Sequence, residues 1–158
     1  RQHTGTMLRS LTRLFRPPVA AAAAHVPEGE RWYAVGDIHG RQDLFAALTE
    51  AIEADDRAAA PARTQIVLLG DLVDRGPDSA GVIAHARAWA AQRPVRLLAG
   101  NHEEMFLESF DDLEMLRHFL RHGGRETVLS YGLDRKSYDA MSLEELQATM
   151  AEIVPEEH

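Results

Sequence analysis

VGDIHG, residues 35–40, closes a short apolar run, RWYAV (31–35), with an Asp and a His two positions apart between glycines. The same grammar returns twice, as VLLGDLVDRG (67–76) and RLLAGNHE (96–103). Each stretch is an apolar run, a glycine, then Asp or Asn with His, Asp or Arg close behind. Asp37 to Asp71 is 34 residues and Asp71 to Asn101 is 30, room in each case for one crossover helix and the next strand. RQDLFAALTEAIEADDRAAA (41–60) places Leu44, Ala47, Leu48, Ala51 and Ile52 on one helical face. PDSAGVIAHARAWAAQ (77–92) begins with Pro and Asp, as helices do. TQIVLLG (64–70) is a continuous apolar run of the buried parallel kind, and PVRLLAG (94–100) reads as a third strand. The order β-α-β-α-β predicts an α/β fold with a mainly parallel sheet and right-handed crossovers. Ligands in such sheets bind beyond the carboxyl ends of the strands, where all three motifs fall.

Beyond residue 100 no strand pattern recurs. Residues 101–122 and 125–131 read as helices separated by the Gly123-Gly124 pair, and 142–154 as a last helix with a Ser142/Glu145 capping box. Residues 101–158 hold 14 acids against 5 bases, so this part is expected to be a helical lid or insertion, solvated on its outside. The first 30 residues form a basic segment, with MLRSLTRLFR at 7–16, and an Ala/Pro-rich linker. A membrane-surface or targeting role for that segment is weighed against a frayed basic terminus. RQHTGT (1–6) is set aside from the fold, which is expected to occupy residues 31–158.

The 158 residues suffice for one domain with a core, and a formal net charge of −8 argues against a nucleic-acid binder. Without cysteine, disulfides, thiol catalysis and cysteine-type zinc sites are excluded. No apolar run approaches the roughly 20 residues of a membrane helix, so a cytoplasmic protein without stable membrane insertion is expected.

Asp37, His39, Asp71 and Asn101 offer carboxylate, imidazole and amide oxygen, donors that suit manganese, iron, zinc or magnesium. Glycines 36, 70 and 100 are expected to let the chain turn sharply off each strand. A carboxylate on the central strand, Asp71, is the natural bridge between two ions. Arg75 offers a fork of donors to phosphate. His102 faces the same pocket as a proton donor, with Asp74 to orient it.

GDIHG, GDLVDRG and GNHE resemble the signature blocks of the calcineurin-like metallophosphoesterases. More narrowly, they resemble the phosphoprotein phosphatase branch with its bacterial and phage serine/threonine phosphatases. The resemblance covers roughly residues 32–131, and GGRETVLSYG (123–132) is similar to a stretch common in bacterial members. It implies an αββα sandwich of which this chain supplies the first β-α-β-α-β half. It also implies two divalent ions, manganese first, with Asp37 and His39 on one, Asn101 on the other and Asp71 bridging. His102 is then the general acid, Asp74 its support and Arg75 the phosphate grip. A metal-bound hydroxide would attack phosphorus directly, on a phosphorylated protein or a small phosphoester.

Two departures qualify that picture. Ala99 stands where many relatives carry a second phosphate-binding Arg, and Arg96 lies three residues further upstream. The family's two later His ligands and its second sheet have no counterpart up to His158, so the chain is expected to be the N-terminal part of a longer enzyme and a poor metal binder as it stands. Two other functions compete with a phosphatase. One is a symmetrical dinucleoside tetraphosphate hydrolase on the same fold, although those relatives often carry a neutral residue at the position of Asp74 and GNHD in place of GNHE. The other is a truncated, non-catalytic binding module. Of the remaining histidines, His118 and His122 are spaced to grip zinc or to form a solvated face, and His85 is expected at the surface or in packing. Trp32 and Trp89 read as packing residues. Glu103 is either an N-terminal helix charge or a neighbour of Asn101 and His102.

Overall fold

A computed structural model describes residues 25–158. The basic segment and most of the linker, residues 1–24, lie outside the described residues. Three strands, β1 (Glu30–Val35), β2 (Arg63–Leu68) and β3 (Val95–Leu97), pair in parallel in the order β1-β2-β3. The expected alternation is present: α1 (Gln42–Ala58) joins β1 to β2 and α2 (Ser79–Ala90) joins β2 to β3. Right-handed crossovers between sequential strands place both helices on one face. The register aligns Tyr33 with Ile66 and Val95, and Val35 with Leu68 and Leu97, so one set of side chains points at those helices. There Val35, Ile66 and Leu68 are buried with Phe45 and Ile52 of α1 and Val82, Ala86 and Trp89 of α2. The opposite face carries Trp32, Ala34 and Val67, continued by Leu69 and Leu98. Trp32, Leu69 and Leu98 are each about half exposed there. One open three-stranded sheet is present among the described residues, and no second sheet.

The face that α1 buries differs from the expected one. Phe45, Thr49 and Ile52 point inward, while Leu44 and Leu48 remain 56% and 41% exposed. Both stripes recur at helical spacing, and the choice falls to the partner: Phe45 finds the Trp89 ring at 6.2 Å and the His85 ring at 4.9 Å across from α2. Trp89 is buried, as expected; Trp32 lies on the uncovered face. His85 packs between the helices, with its rings of contacts completed by Gln42 and Thr49.

Residues 101–158 are more than a solvated lid. They form α3 (Asn101–Glu108), α4 (Leu113–Phe119), α5 (Arg125–Ser130), α6 (Arg135–Ala140) and α7 (Leu143–Ile153), with a kink at Gly123 between α4 and α5. Phe106, Leu116, Phe119, Val128, Leu146 and Met150 build a second core, which reaches the first part of the chain through Val73 and Ile83. The single helix expected over 101–122 is broken at 109–112. The Ser109 hydroxyl turns back to donate to the Phe106 carbonyl at 2.6 Å, and Asp112 caps α4 by accepting from the amides of Glu114 and Met115. The SFDD run (109–112) held that signal, since Ser and Asp compete with helix-interior hydrogen bonds and favour caps. Gly123, with a left-handed φ of 108°, makes the kink between α4 and α5, so the glycine pair separates the two helices as expected. α6 went unread; Asp134 caps it. The Ser142/Glu145 capping box on α7 is formed in both directions.

At the amino ends of the strands, polar staples close the sheet. Asp56 of α1 accepts from Arg31 of β1 at 2.7 Å, from the Thr64 hydroxyl of β2 at 2.6 Å and from Arg93 before β3 at 2.9 Å. The Thr64 hydrogen bond first, then Arg31 and Arg93, hold the Asp56 carboxyl at about 2. A carboxyl depressed in the folded state contributes stability that is present above its unfolded value, near 4, and lost as pH falls through about 2. Asp56→Asn is therefore expected to unfold at lower temperature than the parent at pH 7. The gap should shrink between pH 4 and pH 2, as thermal melts followed by circular dichroism across that range will show.

Candidate metal centre and phosphate site

Each motif leaves a strand at its carboxyl end, and backbone hydrogen bonds draw the three loops together. Ile38 and His39 both donate their amides to the Asp71 carbonyl, at 3.0 and 2.9 Å, and Gly40 donates to that of Leu72 at 2.8 Å. Among the described residues, four other than glycine hold left-handed φ angles: His39 (47°), Asp71 (54°), Asp74 (73°) and Arg75 (69°). Such residues cost on the order of 1–3 kcal/mol each and persist where the surroundings over-determine them. All four belong to the residues that the motifs single out. Gly100 allows the third loop to close in, since a Cβ there would lie 2.2 Å from the Asp71 carboxylate. At Gly36 a Cβ would meet nothing within 4 Å and φ is not left-handed, so the expectation of a steric need for glycine fails at that position.

Asp37, His39 and Asp71 bring one ligand atom each to within 4.8 Å of one another, a group that could hold a metal ion. The imidazole of His39 is oriented for that purpose. Its Nδ1–H donates to the Val73 carbonyl at 2.8 Å, which leaves Nε2 as a lone pair 3.7 Å from the Asp37 carboxylate. Carboxylate, imidazole and carboxylate fit a divalent ion of borderline hardness. Asn101 opens α3 between two residues that touch Asp71: Gly100, and His102, whose amide donates to the Asp71 carboxylate at 3.2 Å.

His102 and Asp74 are buried, and His102 Nδ1–H donates to Asp74 Oδ2 at 2.6 Å. Burial pushes the Asp74 carboxyl up, against hydrogen bonds from Thr127 and His102 that favour its ionised form. The His39 and His102 rings meet edge-on with centroids 4.8 Å apart. Arg75 lies across both, donating one guanidinium nitrogen to His39 Nε2 at 2.6 Å and another to His102 Nε2 at 2.8 Å. Both imidazoles are thus fixed from behind by an acceptor and turn a lone pair toward one cation. Arg96 and Ala99 are exposed.

Glu103 does more than charge a helix terminus. Its carboxylate accepts from the amides of Asp71 and Leu72 at 2.7 Å, Val73 at 3.2 Å and Gly100 at 2.7 Å. It binds the loop after β2 to the start of α3, rather than the side chains of Asn101 or His102. Its spacing of three from Gly100 was the available signal.

The stretch 123–132, a likeness in sequence alone, packs against the loop after β2 and the start of α2. Arg75 donates its amide to the Gly123 carbonyl at 3.1 Å, where a Cβ on Gly123 would lie 2.8 Å from Arg75 Cγ. Thr127 bonds to Asp74 and Ser79, and the Ser130 hydroxyl accepts from the amide of Ala80 at 3.0 Å. His118 and His122 stand exposed with ring centroids 4.1 Å apart, and His122 Nδ1–H donates to the His118 carbonyl. They join none of the site residues.

The calcineurin-like phosphoesterase family matches residues 31–150, most of the chain. The chain belongs to that family. Its relatives refine the resemblance. A symmetrical bis(5'-nucleosyl)-tetraphosphatase of Acidovorax sp. (strain JS42) is 44% identical over 71 residues, 45% of this chain and 23% of that protein. Another, from Klebsiella pneumoniae (strain ATCC 700721 / MGH 78578), is 38% identical over 78 residues, 49% of this chain and 25% of that protein. Serine/threonine-protein phosphatase 1 of Salmonella typhimurium is 35% identical over 86 residues, 52% of this chain and 35% of that protein. The matched region thus spans about a quarter to a third of these relatives' length. Tetraphosphatases predominate among them, so the expected narrowing to the phosphoprotein phosphatase branch is replaced by membership of the wider family. Among the described residues, no helix is long and apolar enough to cross a membrane.

Glu103→Gln keeps size and one acceptor but turns an amide NH2 toward backbone N–H groups. With charged hydrogen bonds contributing about 1.5–3 kcal/mol each, a loss of about 2 kcal/mol or more is expected. Urea denaturation followed by tryptophan fluorescence measures it; an unchanged midpoint would remove Glu103 from its place in the loop.

Proposed function

We propose that this chain supplies a metal site, a phosphate grip and a proton donor to a metal-dependent phosphohydrolase, with symmetrical dinucleoside tetraphosphates as the leading substrate class. The observation that carries the reading is the meeting of Asp37, His39 and Asp71 within 4.8 Å beside the Arg75 guanidinium and the paired Asp74 and His102. The prevalence of tetraphosphatases among the relatives favours the substrate class.

In this reading Asp37, His39 and Asp71 would hold a divalent ion, and Asn101, with Asp71, would serve a second. Divalent ions held there would neutralise phosphoryl charge and provide an activated water. Arg75 turns from the imidazoles to grip a phosphate in a two-pronged contact. His102 delivers a proton to the departing oxygen, with Asp74 holding its tautomer and stabilising its charged form.

One feature favours a second substrate class, phosphoserine or phosphothreonine. A departing nucleoside diphosphate is a weak base that leaves readily, whereas a serine alkoxide needs a proton. The buried Asp74–His102 pair suits the harder leaving group.

The deciding experiment compares diadenosine tetraphosphate with a phosphoserine peptide as substrates for the manganese-loaded protein. A kcat/KM at least about tenfold higher for the tetraphosphate is expected, and the reverse order would favour the protein phosphatase. Asp71→Asn should abolish hydrolysis of both. His102→Asn should lower turnover about 10²–10⁴-fold with metal content, read by elemental analysis, unchanged. Parent-like turnover in the folded Asp71→Asn protein sinks the mechanism. In a protein that also carries the family's later His ligands, no metal uptake and no hydrolysis of either substrate would point to the binding module.

A further inference from the structure

The mechanism assigns nothing to Thr127, which is fully buried on α5, 53 residues along the chain from Asp74. Its hydroxyl donates to Asp74 Oδ1 at 2.6 Å, while the other carboxylate oxygen takes the His102 Nδ1–H. The same hydroxyl oxygen accepts from the Asp74 amide at 2.9 Å. Because the Thr127 proton is committed to Asp74, the Ser79 hydroxyl, 2.9 Å away, is the donor in their mutual contact. One hydroxyl thus uses its single proton and both lone pairs on this loop.

We infer that Thr127 is the positioning residue of the Asp74–His102 pair, fixing the carboxylate in the plane that receives His102 Nδ1–H. The inference rests on the proposed hydrolase reading and extends it to the helical part of the chain. Three features support it. Thr127 holds Asp74 at both ends, by its carboxylate and by the amide of a backbone with φ of 73°. Without that bond the Asp74 amide would have the Ser79 hydroxyl as its one acceptor. Asp74 is also fully buried, so neither of its oxygens has ready access to water, and loss of one donor leaves an uncompensated lone pair. Finally, Gly123 and Ser130 flank Thr127 with bonds to Arg75 and to Ala80 at the start of α2, so the segment 123–130 is braced on residues 74–80 at three points. GGRETVLSYG is therefore an outer support of the proton donor, contributed by a helix that follows the sheet.

Thr127→Val is nearly isosteric and removes only the hydrogen bonds. Thr127→Ser restores the hydroxyl. The readout independent of turnover is the low-field proton resonance of His102 Nδ1–H, assigned by its absence from His102→Gln. The parent and Thr127→Ser should show it, and Thr127→Val should lose it or shift it well upfield. Where the parent hydrolyses phosphoesters, kcat should fall about 10–100-fold in Thr127→Val, with KM and metal content retained, and recover in Thr127→Ser. If Thr127→Val does not fold, Thr127→Ala set against Thr127→Ser makes the same comparison. A folded hydroxyl-free variant that keeps the parental resonance overturns the inference. So does a Thr127→Ser protein that behaves like it. A parent without hydrolysis bears on the hydrolase reading alone, because the resonance still decides the position of His102.

Discussion

The Glu103 carboxylate is the tie on which the site depends. Four amides, those of Asp71, Leu72, Val73 and Gly100, point at its two oxygens. The loop after β2 must therefore wrap around a side chain that belongs to the next motif. That wrapping turns Asp71 into a left-handed conformation and aims its carbonyl at the amides of the first loop. The ligands are brought together by backbone hydrogen bonding, so their approach does not require a bound ion to compensate mutual repulsion. The strain at His39, Asp71, Asp74 and Arg75 is balanced by these contacts rather than by local propensity.

The second dependency runs through α2. One of its faces supplies Val82, Ala86 and Trp89 to the core beneath the sheet, and another supplies Ile83 to the helical core. Its amino end, with Ser79 and Ala80, meets Thr127 and Ser130. The same helix thus connects the sheet that orders the ligands to the helices that support Asp74. A perturbation in the aromatic cluster of Phe106, Phe119 and Tyr131 has a physical route to the proton donor, because Val128 in that core neighbours Thr127 in sequence.

Each imidazole of the site lies between a fixed acceptor at Nδ1 and the Arg75 guanidinium at Nε2. Val73 and Asp74 each take a proton from an Nδ1, so both Nε2 atoms face Arg75. His39 can coordinate an ion only if Arg75 gives up that lone pair. In the proposed reading, an ion on His39 would free Arg75 to meet a phosphate.

The sequence by itself determined the β-α-β-α-β order, the parallel sheet, and the identity of the residues at the three strand ends. Those features follow from short-range physics: apolar runs of strand length, helical spacing, and polar residues placed where parallel strands end. It also held legible caps at Asp112 and Ser142, of which only the second was read. The tertiary structure alone decided which stripe of α1 is buried, because Phe45 and Leu44 are both apolar and only the position of Trp89 distinguishes them. It alone decided that residues 101–158 build a second core, since a helix's partner is set by packing rather than by its own pattern. The roles of Glu103 and Thr127 were decided by the same packing: Glu103, whose spacing of three from Gly100 is a local signal, also binds amides about 30 positions back, and Thr127 bonds to a carboxylate 53 positions away, a distance that leaves no local trace in the sequence.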